Sequence, residues 1–567
     1  MASNPETATD GKIISDMSAC LPADALGRET SGRKWCLVDY QTDSFNGVML
    51  LATPYNDVPE IRLPLNTEGL HDIYLGIYYT DVTMGLTQEI ALKLSGEPAF
   101  QWVGKDFFYP KDGIKRDIGH EDLPEVFWRS ADLTNRDLLI GPTREGKMAG
   151  LAYIKLVPCN GKPEQNPADE SGKRLIAIFD GIWPDLYENE LSFREVVEPF
   201  RNTNVGLLLW GFAWPDVCGY DSKIGRLINT DCFSGSPFFR RTAENILRLH
   251  DKGIDPLKSA VEAAHDVGLQ IYGSMRMIGT HTPPAHKAPA TLLDEHPEYR
   301  CVDETGVPTP HLSLAYPAVR EKFTAVLKEM AQLGMDGVHV LFCRSWPYVL
   351  YEEITVRDFI DKHGRDPRTL PKDDPDWIAH QCSYVTEFIR QIRRAADEVG
   401  QQQGRRIGTA YHVRNCVANC LYRGLDVETW MKEGLVDVLI PTWDWDVTVD
   451  SPVPRHDVWD ESMAEFVRAA EGASCRICPD AIWKRQLAEK IIEQAIPLYR
   501  AGADGLCYWD TNDTTCRCSE WAIRRELGHI DKLEEWLSQE RGKNYFRLIR
   551  VTKLMDFGLG PYTFTNG

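Results

Sequence analysis

No run of the chain approaches the 18 or so apolar residues that a membrane-spanning helix needs. The longest strongly apolar piece is Val205 to Trp214. The first residues, MASNPETATDGKIISDM, hold no apolar core of a secretory signal, so a cytoplasmic protein with no membrane partner is expected. Positive charge is scarce too. Lys plus Arg number 63 against 84 Asp plus Glu, a formal balance of −21. That sign argues against nucleic acid as a partner, because phosphate contacts need clustered Lys and Arg. It leaves an anionic small substrate open, since a local group of arginines can oppose the global sign. No turn between strand and helix carries G-x-G-x-x-G, which leaves a doubly wound sheet as the runner-up fold, and no cofactor is expected. Metal-ligand spacing is missing as well. The 15 cysteines, an odd count, fit reduced and buried thiols better than a disulfide framework. Cys475-Arg-Ile-Cys478 has CxxC spacing, but residues three apart on a strand face opposite sides. No metal is expected.

What the chain does have is 16 tryptophans in an otherwise ordinary mixture, 43% apolar and 26% charged. Residues 1–30 read as a flexible lead-in. From 31 to 158, short β-type runs alternate with Gly/Pro/Asn/Asp turns: Lys34–Tyr40, Val48–Ala52, His71–Tyr79, Glu89–Leu94, Glu125–Ser130 and Leu151–Leu156. Helical periodicity is nearly absent, which predicts an antiparallel β-sandwich. Residues 159–173 are polar and rich in Pro, Gly and Asn, the composition of a linker.

From 174 to 520 the rhythm changes. Strand-like runs at Leu175–Phe179, Val205–Gly211, Leu269–Ser274, Gly337–Cys343, Arg406–Tyr411, Val436–Pro441, Ser474–Cys478 and Gly505–Trp509 alternate with amphipathic helical segments. Pro256 and Pro317 suit helix starts, and Gly268, Gly334 and Gly502 suit helix ends. Eight such units predict an α/β fold, a closed (β/α)8 TIM barrel. Residues 521–567 predict a C-terminal helix and a β-type tail that either covers the barrel or returns to the sandwich.

Active sites of such barrels lie at the C-terminal ends of the strands, which turns strand boundaries into a list of residues. The ends carry Asp180 and Trp183, Trp210 and Trp214, Arg276, Arg344 and Trp346, His412 and Arg414, Trp443 and Asp444, and Trp509 and Asp510. Aromatic faces stack on sugar rings, and carboxylates and arginines bind hydroxyls. Each Trp can equally cap the core, and each acid can be a solvated loop residue. The set as a whole suggests a rim facing an oligosaccharide.

A resemblance sharpens this. Leu314-Ala-Tyr-Pro-Ala-Val-Arg320, Asp336-Gly-Val-His-Val-Leu-Phe-Cys-Arg344 and Phe359-Ile-Asp-Lys-His-Gly-Arg-Asp-Pro367 resemble the glycoside-hydrolase-like family 10 proteins. That likeness implies a barrel, often with a β-sandwich partner, and carbohydrate chemistry. The family pattern often has an Asp two residues after the strand-four His, and Leu341 stands there instead.

Hydrolysis then falls to the remaining acids. Glu352 or Glu353 would be a general acid, unless they only start a helix. Asp444 would be a nucleophile or base, and Asp510 is the further candidate. Asp180, the rim tryptophans and His412 would bind substrate. Arg276, Arg344 and Arg414 at three adjacent ends would hold the carboxylate of a uronic sugar, unless each pairs with a rim acid. Glycoside hydrolysis is thus the first expectation. A non-catalytic carbohydrate-binding protein and a uronate lyase or isomerase with His412 or Tyr411 as base are the alternatives. A homo-oligomer is left open.

Overall fold

The short apolar runs before residue 159 do form strands. The computed structural model describes residues 11–29, 32–53, 56–78, 89–104, 122–142, 148–159, 174–180, 187–230, 237–277, 291–343, 346–442, 459–482, 488–509, 526–538, 546–555 and 561–563. Strands Trp35–Thr42, Asn46–Ala52, Leu70–Ile77, Glu89–Leu94, Asp122–Asp132 and Ala149–Pro158 match the six expected runs. Others, such as Ile61–Leu63 and Leu138–Ile140, are too short for alternation to register in the sequence.

These strands lie in two antiparallel sheets. In one, Trp35–Thr42, Asn46–Ala52, Ala149–Pro158, Leu70–Ile77, Asp122–Asp132 and Phe546–Met555 follow one another. Phe546–Met555 pairs with Asp122–Val126 along its first half and with Asp39–Thr42 along its second, so the six strands form a ring. The C-terminal tail therefore returns to the N-terminal sheets. The second sheet runs Ile61–Leu63, Leu138–Ile140, Glu89–Leu94, Gln101–Gly104. Leu50, Leu75 and Leu151 of the first sheet and Leu63, Leu92 and Ile140 of the second share one buried core.

The expected loose lead-in is corrected over residues 11–29. Lys12–Ile14 pairs with Ile154–Leu156, and Met17 and Cys20 are buried in the core. Three residues suffice for an edge strand, and two buried side chains anchor the turn after it. Neither leaves a periodic signal.

All eight expected runs after residue 174 become parallel strands, and a short further strand, β8, follows the seventh: β1 (Leu175–Phe179), β2 (Val205–Trp214), β3 (Gln270–Arg276), β4 (Gly337–Leu341), β5 (Gly408–Val413), β6 (Val438–Pro441), β7 (Arg476–Ile477), β8 (Asp480–Ile482) and β9 (Leu506–Tyr508). The sheet order is β7-β6-β5-β4-β3-β2-β1-β9-β8. Only Cys478 and Pro479 separate β7 from β8. The Cys478 N–H donates to Leu439 O of β6, and the Cys507 N–H of β9 donates to Pro479 O.

Helices Pro256–Asp266, Pro317–Gln332 and Pro375–Gln403 begin at prolines, and Asp255 and Asp374 cap the first and third through their carboxylates. Gly268, Gly334 and Gly502 take φ of 80°, 112° and 102° just beyond helix ends, where only glycine is unstrained. Helix Pro237–Asp251 was not foreseen. No helix among the described residues is long and apolar enough to cross a membrane.

Strand alternation divides the parallel sheet into two faces. Phe179, Leu208, Trp210, Val340, Tyr411 and Leu439 face the helices. Ile178, Leu209, Tyr272, Leu341, Ala410, Ile440, Cys478, Cys507 and Trp509, from strands all along the sheet, form one cluster on the other face. Tyr272 fills the N-terminal end of that face. Its ring lies where a Cβ on Gly337 or Gly408 would stand, so both positions require glycine.

Candidate active site

The inner face is apolar at its base and polar toward the C-terminal strand ends. Ser274 on β3, His339 on β4 and His412 on β5 share the parity of Tyr272, Leu341 and Ala410 and so point inward. Ser274 Oγ lies 2.6 Å from His339 Nδ1, and His339 Nε2 lies 2.8 Å from His412 Nδ1. His412 Nε2 then meets Cys507 Sγ at 3.8 Å. All four residues are buried. Burial pushes the His339 imidazole down to about 3. His412 is held well below the usual imidazole range, by burial first and by His339 second. Both rings are therefore neutral, and each uses one nitrogen as donor and one as acceptor.

Two carboxylates stand on this layer. Asp180 follows β1, with Oδ2 3.6 Å from Arg276 Nη1 at the end of β3. Asp480 begins β8, pairs in register with Cys507, and accepts a 2.8 Å hydrogen bond from Thr442 Oγ1 after β6. Trp509 follows β9, its ring 5.5 Å from that of His412 at 81°, an edge-to-face contact. Asp180, Asp480 and Trp509 are all buried.

Of the residues expected on the rim, Asp180 meets Arg276, and His412 meets Trp509. Trp183, Arg344, Trp443, Asp444 and Asp510 lie outside the described residues. Trp210 corrects the expectation: it faces the helices, packs on Phe179, Phe193 and Phe212, and donates its indole N–H to Tyr187. The cause is parity, because Leu209 and Gly211, not Trp210, face inward. Trp214 is buried in the same helix-facing cluster. Trp346 is half-buried, with the Arg423 guanidinium 5.1 Å over its ring. Arg414 is fully buried.

Glu352 is also corrected. It is fully buried at the N-cap of helix Glu353–His363. Its carboxylate accepts from Leu350 N at 3.0 Å and from Thr355 Oγ1 at 3.2 Å, with Ser313 and Cys301 as further partners. Burial raises its pKa. This carboxylate organises a loop and a helix start. Glu353 is an exposed first-turn acid. Tyr411, a candidate lyase base, packs against Phe342 and Trp430 on the helix side. Cys475 belongs to the helix-facing cluster and Cys478 to the inner one, on opposite faces as their spacing requires. Among the described residues, no group of three or more His, Cys, Asp or Glu side chains is arranged to hold a metal ion.

Sequence reasoning missed Ser274, His339, Thr442 and Cys507, and it placed Asp480 at the end of the seventh run without giving it a role. The signal was parity: each sits an even number of residues from an inward-facing neighbour on its own strand segment.

Residues 236–469 match the family model described as Glycosyl hydrolase-like 10. No curated protein matches the chain. Among solved structures, an α-galactosidase from Thermus thermophilus is 11% identical, with 87% of this chain and 94% of that chain covered and a TM-score of 0.34. A β-(1,4)-mannanase from Podospora anserina is 11% identical, with 90% and 97% covered and a TM-score of 0.28. A chitinase from Pseudoalteromonas aurantia is 10% identical, with 62% and 99% covered and a TM-score of 0.32.

Proposed function

We propose that this chain, with a glycosyl hydrolase-like 10 segment at residues 236–469, hydrolyses a glycosidic bond at the C-terminal ends of its parallel strands. We read β7 and β8 as one interrupted strand, which joins β6 to β9 and closes a (β/α)8 barrel. The observation that carries the reading is that buried Asp180, Asp480 and Trp509 stand on or just after three neighbouring strands, β1, β8 and β9, beside a neutral polar layer. Asp480, with a hydroxyl and a thiol for neighbours, is the general acid that protonates the leaving oxygen. Asp180, facing Arg276, is the base that activates water. The strands bearing them flank β9, two spacings of about 4.8 Å apart. Side chains leaning inward from strands that far apart suit an inverting pair, whose carboxyl groups stand about 6.5–9.5 Å apart with room for water. Asp444, two residues after Thr442, and Asp510, next to Trp509, are the further acids the strand ends supply.

The sugar is better read as neutral than uronic. Arg276 meets Asp180 and Arg414 is buried, which leaves neither as a ready carboxylate clamp. A uronate lyase is disfavoured on the same grounds, with Tyr411 on the helix side and His412 held within the buried chain. The non-catalytic reading draws on Leu341, which fills the inner face with a hydrocarbon where the resembling family carries Asp.

The test is release of reducing ends from a panel of neutral α- and β-linked oligosaccharides. Wild type should turn over at least one, with inversion at the anomeric carbon. Asp480→Asn should lower kcat by about 10²–10⁴-fold. Binding without turnover in wild type would favour the non-catalytic reading.

A further inference from the structure

The buried chain from Ser274 to Cys507 is costly in an interior that apolar residues would fill without penalty, because every polar atom must find a partner. It crosses from β3 through β4 and β5 to β9, and it ends where Cys507 stands in register beside Asp480. Burial first and the neighbouring Asp480 charge second push the Cys507 thiol up. Among the described residues, the other ionisable groups facing the chain are Cys478 and Cys343 beside Cys507, Tyr272 one inward step before Ser274, and the Arg276–Asp180 pair one inward step beyond it.

We propose that His339 and His412 are positioning residues that couple the protonation state of Asp480 to Ser274 by reversing the hydrogen-bond polarity of this chain. This rests on Asp480 being the proton-exchanging acid of the site. Two polarities satisfy all three links of the chain. With Asp480 ionised, Ser274 O–H donates to His339 Nδ1, His339 Nε2–H to His412 Nδ1, and His412 Nε2–H to Cys507 Sγ. The thiol proton is then left for the carboxylate. With Asp480 protonated, all three links point the other way: Cys507 S–H donates to His412 Nε2, His412 Nδ1–H to His339 Nε2, and His339 Nδ1–H to Ser274 Oγ. Going from the first state to the second takes up one proton overall. Each link passes its own proton one step toward Asp480, and Ser274 is reprotonated from outside the chain. Both rings stay neutral throughout, so no cation is buried.

The geometry makes this measurable without any substrate. In protein labelled with ¹⁵N-histidine, the coupling across the His339–His412 N–H···N bond identifies the two rings among the 14 histidines. On titration from about pH 8 to about pH 4, both rings should exchange their protonated nitrogens together, with one midpoint, while remaining neutral. In Asp480→Asn the exchange should vanish. Fixed tautomers across the range, a doubly protonated ring in the folded state, or an exchange that persists in Asp480→Asn would each overturn the proposal. A coupled exchange in a protein that hydrolyses no glycoside would retain the relay and remove the hydrolytic reading. In an active enzyme, Ser274→Ala should shift the acid limb of the pH–rate profile and Ser274→Thr, which keeps the hydroxyl, should restore it.

Discussion

Two imidazoles placed ring to ring inside a sheet must stay neutral, and that has a signature in stability. The folded pKa of His339, about 3, lies below the ordinary value of 6.5, and His412 is displaced the same way. A lowered pKa means that the unfolded chain binds protons the folded chain refuses. The stabilisation is therefore fully present above about pH 6.5 and is lost as pH falls toward 3. Each ring contributes a slope of about 1.4 kcal/mol per pH unit within that window. Denaturant unfolding of wild type between about pH 6.5 and pH 4 should show this loss, and a His339→Gln/His412→Gln double variant should show a shallower one. Glu352 has the opposite sign. Its raised pKa gives a contribution fully present below the ordinary 4.5 and lost as pH rises above it. Glu352→Gln should flatten that fall and leave hydrolysis intact; lost turnover with the fold retained would return Glu352 to the site. Residue types near the strand ends were legible in the sequence, but their facing was not. Trp210, in the middle of β2, and His412, near the end of β5, were both expected on the rim, yet parity sends the first to the helices and the second inward.

At the scale of elements, the closest fit is Tyr272 against Gly337 and Gly408, where three neighbouring strands meet. Gly408→Ala drives a methyl group into the Tyr272 hydroxyl and should destabilise by about 1–3 kcal/mol, the ordinary cost of overpacking. Adding Tyr272→Ala should make the two changes less than additive. Thermal unfolding of the four proteins measures the coupling, and strict additivity would contradict the packing. The second element-scale prediction concerns the six-stranded ring. Truncation before Phe546 removes the strand that pairs with both Asp122–Asp132 and Trp35–Thr42. It should lower the unfolding temperature and expose two strand edges to aggregation; an unchanged melting temperature would show that the ring does not need its last member. The parallel strands were readable because β-branched and apolar runs buried on both faces stand out between helices. The return of the C-terminal strand to sheets begun more than 400 residues earlier was not, since nothing in a β-type tail names its partner.

Across the whole molecule, the balance of −21 says little about the ligand once the charges are placed. Arg276 faces Asp180. Where the N-terminal sheets meet the first helical layer, Trp102 donates to Glu195 at 3.1 Å. There Arg129, Arg136 and Arg201 pair with Glu97 and Glu198 around a cleft of about 430 Å³. That cleft lies beside Asn202 and Thr203, at the N-terminal end of β2 and so at the opposite end of the strands from Asp180 and Asp480. The proposed sugar site and this cleft thus lie at opposite ends of the parallel sheet. The most direct measurement is a crystal structure of Asp480→Asn soaked with an oligosaccharide that wild type cleaves. It should show a sugar ring between Asp180 and residue 480, within contact of Trp509. A sugar bound in the cleft between Glu97 and Arg201, or against Glu352, with the Asp180 end empty, would contradict it.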